Sequence, residues 1–134
     1  MGAWGALAFD NDEANDWAYE LENVADLSLV ESALNEVIDS EDYLDAHLAS
    51  EGLAACEVIA RLIGNLGYQN AYTEKVDLWV KKHPQKPSSA LLKKAHQVID
   101  RVLAENSELR KLWAENGDVP WVQSVEELRT RLGA

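Results

Sequence analysis

No lysine or arginine occurs before Arg61. The first sixty residues carry fifteen aspartates and glutamates, whereas residues 61–134 hold nine acids and twelve bases, so the two parts contribute −15 and +3 to the net charge of −12. Phosphate binding draws on clustered Lys and Arg that release counterions, so this distribution disfavours a nucleic-acid ligand. It suits a basic protein partner, and it also keeps a surface soluble.

Cysteine is almost missing. Cys56 stands alone, so no internal disulfide forms and no second thiol is at hand for a zinc site. Nothing approaches the ~18 consecutive apolar residues of a membrane span, and the N-terminus lacks the basic start and apolar run of a secretory signal. The chain is therefore expected to be cytoplasmic, with no membrane association. Only three prolines interrupt 134 residues, which permits long helices. Alternating Val, Ile and Thr runs that would mark strands are absent, and so is any repeat period.

What is present is helical patterning around one core, expected as a single all-α domain over residues 1–134. Ala14, Trp17, Leu21 and Val24 recur at helical steps near residues 11–24, with Glu13, Asp16 and Glu20 on another stripe. Ser28 followed by Glu31 has capping-box spacing and opens a second helix over 29–39. "SEDYLDAHLAS" has no clean period and is expected to cross the surface, tacked down by Tyr43 and Leu44. "EGLAACEVIARLIGNLG" is apolar almost all round, as a central helix surrounded by others would be, with Gly64 as its C-terminal cap. Thr73 is expected to cap "EKVDLWVKKH", turning Val76, Trp79 and Val80 inward. After the "PQKPSS" loop, Ser88 or Ser89 starts a helix to about Glu105, with Leu92, Ala95, Ile99, Val102 and Leu103 at core spacing. "SELRKLW" and "PWVQSVEELRTRLG" supply two shorter helices, and Asp77 with Lys81 and Glu127 with Arg131 are acid-first exposed pairs. The result is a bundle of six to seven helices.

The opening "MGAWGALAFDNDEANDW" tempts three readings. N-myristoylation of Gly2 wants Ser or Thr at position six, which holds Ala6. A calcium loop counted from Asp10 wants glycine sixth and glutamate twelfth, which are Asn15 and Leu21. A helix start fits: Asp10 or Asn11 caps, Asp12 and Glu13 meet the positive end of the dipole, and Phe9 packs back on the first turn. Gly2 and Gly5 would then let the lead-in bend while Trp4 plugs the core.

"MGAWGALAFDND" running into a tryptophan-bearing acidic helix resembles the start of a bacterial family known as domain of unknown function 4259. The likeness continues at "LAACEVIARL", with a glutamate at the place of Glu57, and at "SELRKLW". Cys56 stands where an alanine is expected. The resemblance implies a short all-helical protein and carries over no activity.

Enzymatic machinery is sparse. His47, His83 and His96 lie in different segments without metal-ligand spacing, so no metal and no cofactor is expected. Cys56 sits in the most apolar helix, where burial makes a thiol inert. Glu57, set among Ala, Cys, Val and Ile, faces Arg61 one turn on, and the pair is expected to form a buried ion pair that fixes helix packing. The expected function is a noncatalytic protein-binding module. Asp12, Glu13, Asp16 and Glu20 would meet a basic partner, and a neutraliser of a basic toxin is one form of it. The alternative is a small metal-dependent hydrolase built on Glu57 and the carboxylates of the first helix. A homo-oligomer anchored by some of the five tryptophans is a third reading.

Overall fold

In the computed structural model, the apolar stretch around Cys56 becomes the longest helix and touches all the others. Residues 7–115, 117 and 119–133 are described, so the expectations for Gly2, Gly5 and Trp4 lie outside the described residues. Seven helices follow in order: α1 (Asp12–Leu21), α2 (Ser28–Ile38), α3 (Ala46–Leu62), α4 (Glu74–Lys82), α5 (Ser89–Val102), α6 (Glu108–Glu115) and α7 (Val119–Arg131). Among the described residues there is no strand, and the fold is a compact all-α one.

Sequence explains the centre. Every residue of α3 from Ala49 to Arg61 is buried except Glu51, because a helix that is apolar all round can satisfy its surface only inside a bundle. Gly52 lets α2 and α5 close on it: a Cβ there would stand 2.7 Å from a Val37 methyl and 3.2 Å from one of Val98. The helix ends as anticipated at Gly64, whose φ of +90° favours glycine. Its N–H donates to Arg61 O at 3.0 Å and that of Asn65 to Ala60 O at 2.9 Å, the paired bonds of a Schellman cap.

The start of α3 is where the sequence misleads. The helix begins at Ala46, inside the stretch expected to cross the surface, because Asp45 caps it by accepting from His47 N at 2.7 Å. Glu108 of α6 accepts from Ala46 N at 2.8 Å, satisfying a second free amide from 62 residues away. Leu44 is fully buried and forms an isolated parallel bridge with Ser107, donating to Asn106 O and accepting from Glu108 N. Tyr43 stays at the surface under Lys111.

Two caps differ from expectation. Ser28 does not form a capping box: its N–H and hydroxyl both donate to Asp26, and Glu31 turns to Lys94 of α5 at 3.0 Å. Thr73 occupies the cap position of α4 but its hydroxyl donates to Asp77 at 2.8 Å and accepts from Asn70 N. Asn11 caps α1, accepting from Ala14 N at 2.8 Å, while Asp10 turns back to Leu7 N. Ala14, Trp17 and Leu21 pack into the core as their spacing requires, joined by Ala18. Val24 is half-buried and its carbonyl accepts from Trp79 Nε1 at 2.8 Å, which ties α4 to the end of α1. The long helix α5 stops at Val102, short of Glu105.

Candidate functional site

Two groups of charged side chains are built by this packing. The first is sealed. Glu57 and Arg61, one turn apart on α3, are each 2% exposed and form an ion pair between Arg61 Nη1 and Glu57 Oε1. Arg131 reaches in from α7, 74 residues on, donating from Nη2 to Glu57 Oε2 at 2.8 Å and from Nη1 to Oε1 at 2.9 Å. Arg61 Nε donates to Asp77 Oδ1 at 2.8 Å and its Nη2 to the Tyr68 carbonyl at 2.6 Å. Asp77 therefore serves Arg61 in place of an exposed pair with Lys81. Arg131 also binds Glu127 at 2.6 Å, so that pair is half inside the fold instead of fully exposed.

The electrostatics follow from burial. Desolvation works to neutralise Arg131, and Glu57 with Glu127 outweighs it, so the guanidinium is held more firmly protonated than usual. Burial, with Glu57 beside it, pushes the Tyr68 phenol up. That phenol oxygen accepts from Phe9 N at 3.0 Å, locking the lead-in to α1 against this network. Both oxygens of Glu57 are bound by guanidinium groups, an arrangement suited to holding helices and not to moving a proton. Among the described residues no group of three or more His, Cys, Asp or Glu is disposed to hold a metal ion.

The second group opens to solvent. A cleft of about 390 Å³ lies between α1, α2 and the start of α3. From α1 come Trp17 and Glu20, from α2 Leu29, Ala33 and Glu36, and from α3 His47, Leu48 and Glu51. No lysine or arginine lines it. Burial holds the Glu51 carboxyl above the usual glutamate range; His47, whose Nε2 lies 3.3 Å away, opposes this, and Glu36, Glu20 and Glu13 add to it. Three helices thus focus negative charge on one concavity. Trp17, 2% exposed, forms part of its wall, and its Nε1–H has no acceptor among the described residues.

The four acids expected to meet a partner divide between these surroundings. Glu20 stands on the rim of the cleft, and Glu13 is near enough to act on Glu51. Asp12 and Asp16 are exposed on α1 outside the lining. Sequence does not single out Glu36 and Glu51, and it gives Arg131 only as the exposed partner of Glu127, because their roles arise from helices meeting far along the chain. An acid in an otherwise apolar stretch was the one available signal, and it pointed to Glu57. Cys56 is fully buried and its thiol, pushed up by burial and then by Glu57, donates to Ala95 O at 3.6 Å. Of the four described tryptophans, Trp17, Trp79 and Trp121 are buried, and Trp113 stacks on Trp121 with 6.5 Å between ring centroids. Trp17, Trp79 and Trp121 help fill the interior, and Trp113 is half-buried.

A search of curated proteins and a search of solved structures each gave no match. Residues 2–124 match a family model described as Domain of unknown function (DUF4259), and the chain belongs to that family.

Proposed function

We propose that this chain is a noncatalytic protein-binding module whose acidic α1 face and adjoining cleft recognise a basic partner. One observation carries the reading: Asp12, Glu13, Asp16 and Glu20 form no ion pair among the described residues, although the same chain pairs Glu31, Glu57, Asp77, Asp100, Glu126 and Glu127 with basic side chains. Uncompensated like charges repel, and a cationic partner relieves that cost while charge steering speeds its arrival. A neutraliser that covers a basic toxin nuclease is the form of this function that the charge suits best.

The test is capture from a native cell extract on the immobilised chain at low and high salt, in parallel with a variant carrying Asp12→Lys and Asp16→Lys. A basic protein held at low salt, released at high salt and lost by the variant supports the reading. Equal retention by the variant removes its basis.

A further inference from the structure

Asp12, Asp16 and Tyr19 recur at steps of four and three along α1 and share one exposed stripe, and Lys75, Leu78 and Lys82 share one on α4, with Lys75 alone half-buried. The two stripes meet. Lys75 Nζ stands 4.3 Å from the centre of the Tyr19 ring, and Glu22, just past α1, lines a depression of about 170 Å³ with Lys75, Leu78, Lys82 and His83. Contacts advance along both helices in step, from Tyr19 with Lys75 to Val24 with Trp79 and Ala25 with Gln85, so α4 continues the ridge where α1 ends. Asp12 and Asp16 thereby mark one end and Lys82 the other, and Tyr19 and Leu78, each more than half exposed, lie between. None of the three end charges has an ion pair among the described residues.

We propose that this ridge pairs with the same ridge of a second copy of the chain, antiparallel about a two-fold axis. The rotation sets Asp12 and Asp16 of each copy against Lys82 of the other and brings Tyr19 and Leu78 of both together at the centre. A ridge acidic at one end and basic at the other complements itself in that orientation, whereas a uniformly basic partner would leave Lys82 facing like charge. Tyrosine suits such a seam, since its ring buries area at low cost in side-chain freedom. Net charge works against the pairing, because each copy carries −12. At physiological ionic strength screening over about 8 Å confines that repulsion, and charges in contact across the seam stand closer than this. The dimer does not rest on the reading that the partner is basic. It covers Asp12 and Asp16, so the two occupants exclude each other there.

The experiment is sedimentation equilibrium of the full-length chain in physiological salt, from about 10 μM to about 1 mM, the range in which a small interface assembles. The mean mass is expected to rise with concentration from that of one chain towards that of two. Lys82→Glu and Asp16→Lys should each weaken association about tenfold, since each reversal acts twice in a two-fold dimer. Combined, they should recover most of what the single changes lose, because each copy then offers the other the opposite charges. Leu78→Asp, at an exposed position, should abolish association with the helical signal unchanged. A chain that stays monomeric at about 1 mM, a double variant no better than the single ones, or a Leu78→Asp variant that associates like the parent would overturn the proposal.

Discussion

Arg131 on the last turn of α7 grips both carboxylate oxygens of Glu57 in the middle of α3, at 2.8 and 2.9 Å. One glutamate thereby balances two guanidinium groups, since Arg61 binds it from the same helix. The C-terminal helix is fastened to the centre of the bundle by charge as well as by Trp121, Val125 and Leu128.

Neutralising the hub should therefore cost more than removing one spoke. Glu57→Gln takes the shared carboxylate from two buried cations, leaving Arg61 only Asp77 and Arg131 only the exposed Glu127, and is expected to lower stability by about 3 kcal/mol. Arg131→Met keeps the apolar stem and leaves Arg61 on Glu57, so its cost should be clearly smaller. Urea denaturation of the two variants checks the order, and a larger loss for Arg131→Met would contradict it.

Glu51 predicts a pH effect of definite sign. Its unfolded-state titration lies near 4.5, and burial beside Glu36, Glu20 and Glu13 raises it in the fold, with His47 only partly offsetting the rise. The native state thus holds this proton more tightly, and stability falls as pH climbs from 4.5 through the raised value. Glu51→Gln removes that loss. The variant should melt above the parent at neutral pH, with the gap closing well below pH 4.5, and thermal denaturation across pH measures it.

Packing around Gly52 gives a third test. An alanine there gains up to about 1 kcal/mol of helix propensity but drives its Cβ against Val37, whose branched side chain has little room to turn. The clash at 2.7 Å should win, for a net loss of about 1–2 kcal/mol. Adding Val37→Ala opens the space, so a double-mutant cycle should show favourable coupling between the two sites.

The caps can be separated by substitution. Asn11→Ala removes a bond to Ala14 N and should cost about 1 kcal/mol. Ser28→Ala removes only an exposed bond to Asp26 and should fall within about 0.5 kcal/mol of the parent. Equal losses in chemical denaturation would mean that a capping box forms in solution.

Cys56 is a ready reporter of opening. Fully buried and with its thiol held protonated, it should not react with a thiol-specific disulfide reagent in the native state. Reaction should appear with denaturant in step with loss of helical signal. Rapid modification of the native chain would place Cys56 outside the core.

Local patterns were readable where one helix settles the matter alone. The spacing of Ala14, Trp17 and Leu21, the all-round apolar character of α3 and the cap at Gly64 follow from a period of 3.6 residues and from backbone preference, and neither needs a neighbour. The pairing of Glu57 with Arg61 belongs to the same class, since one turn of helix brings them together. The choice of partner across the chain was not readable. Asp77 turned from Lys81 to Arg61, Glu31 from Ser28 to Lys94, and Glu108 reached back to start α3. Such contacts depend on which helix faces which, and side chains of equal chemistry compete for each site until packing brings one of them near. The same cause hid the cleft: Glu20, Glu36 and Glu51 lie on three helices, and only the closure of α1 and α2 on α3 brings their charges into one concavity.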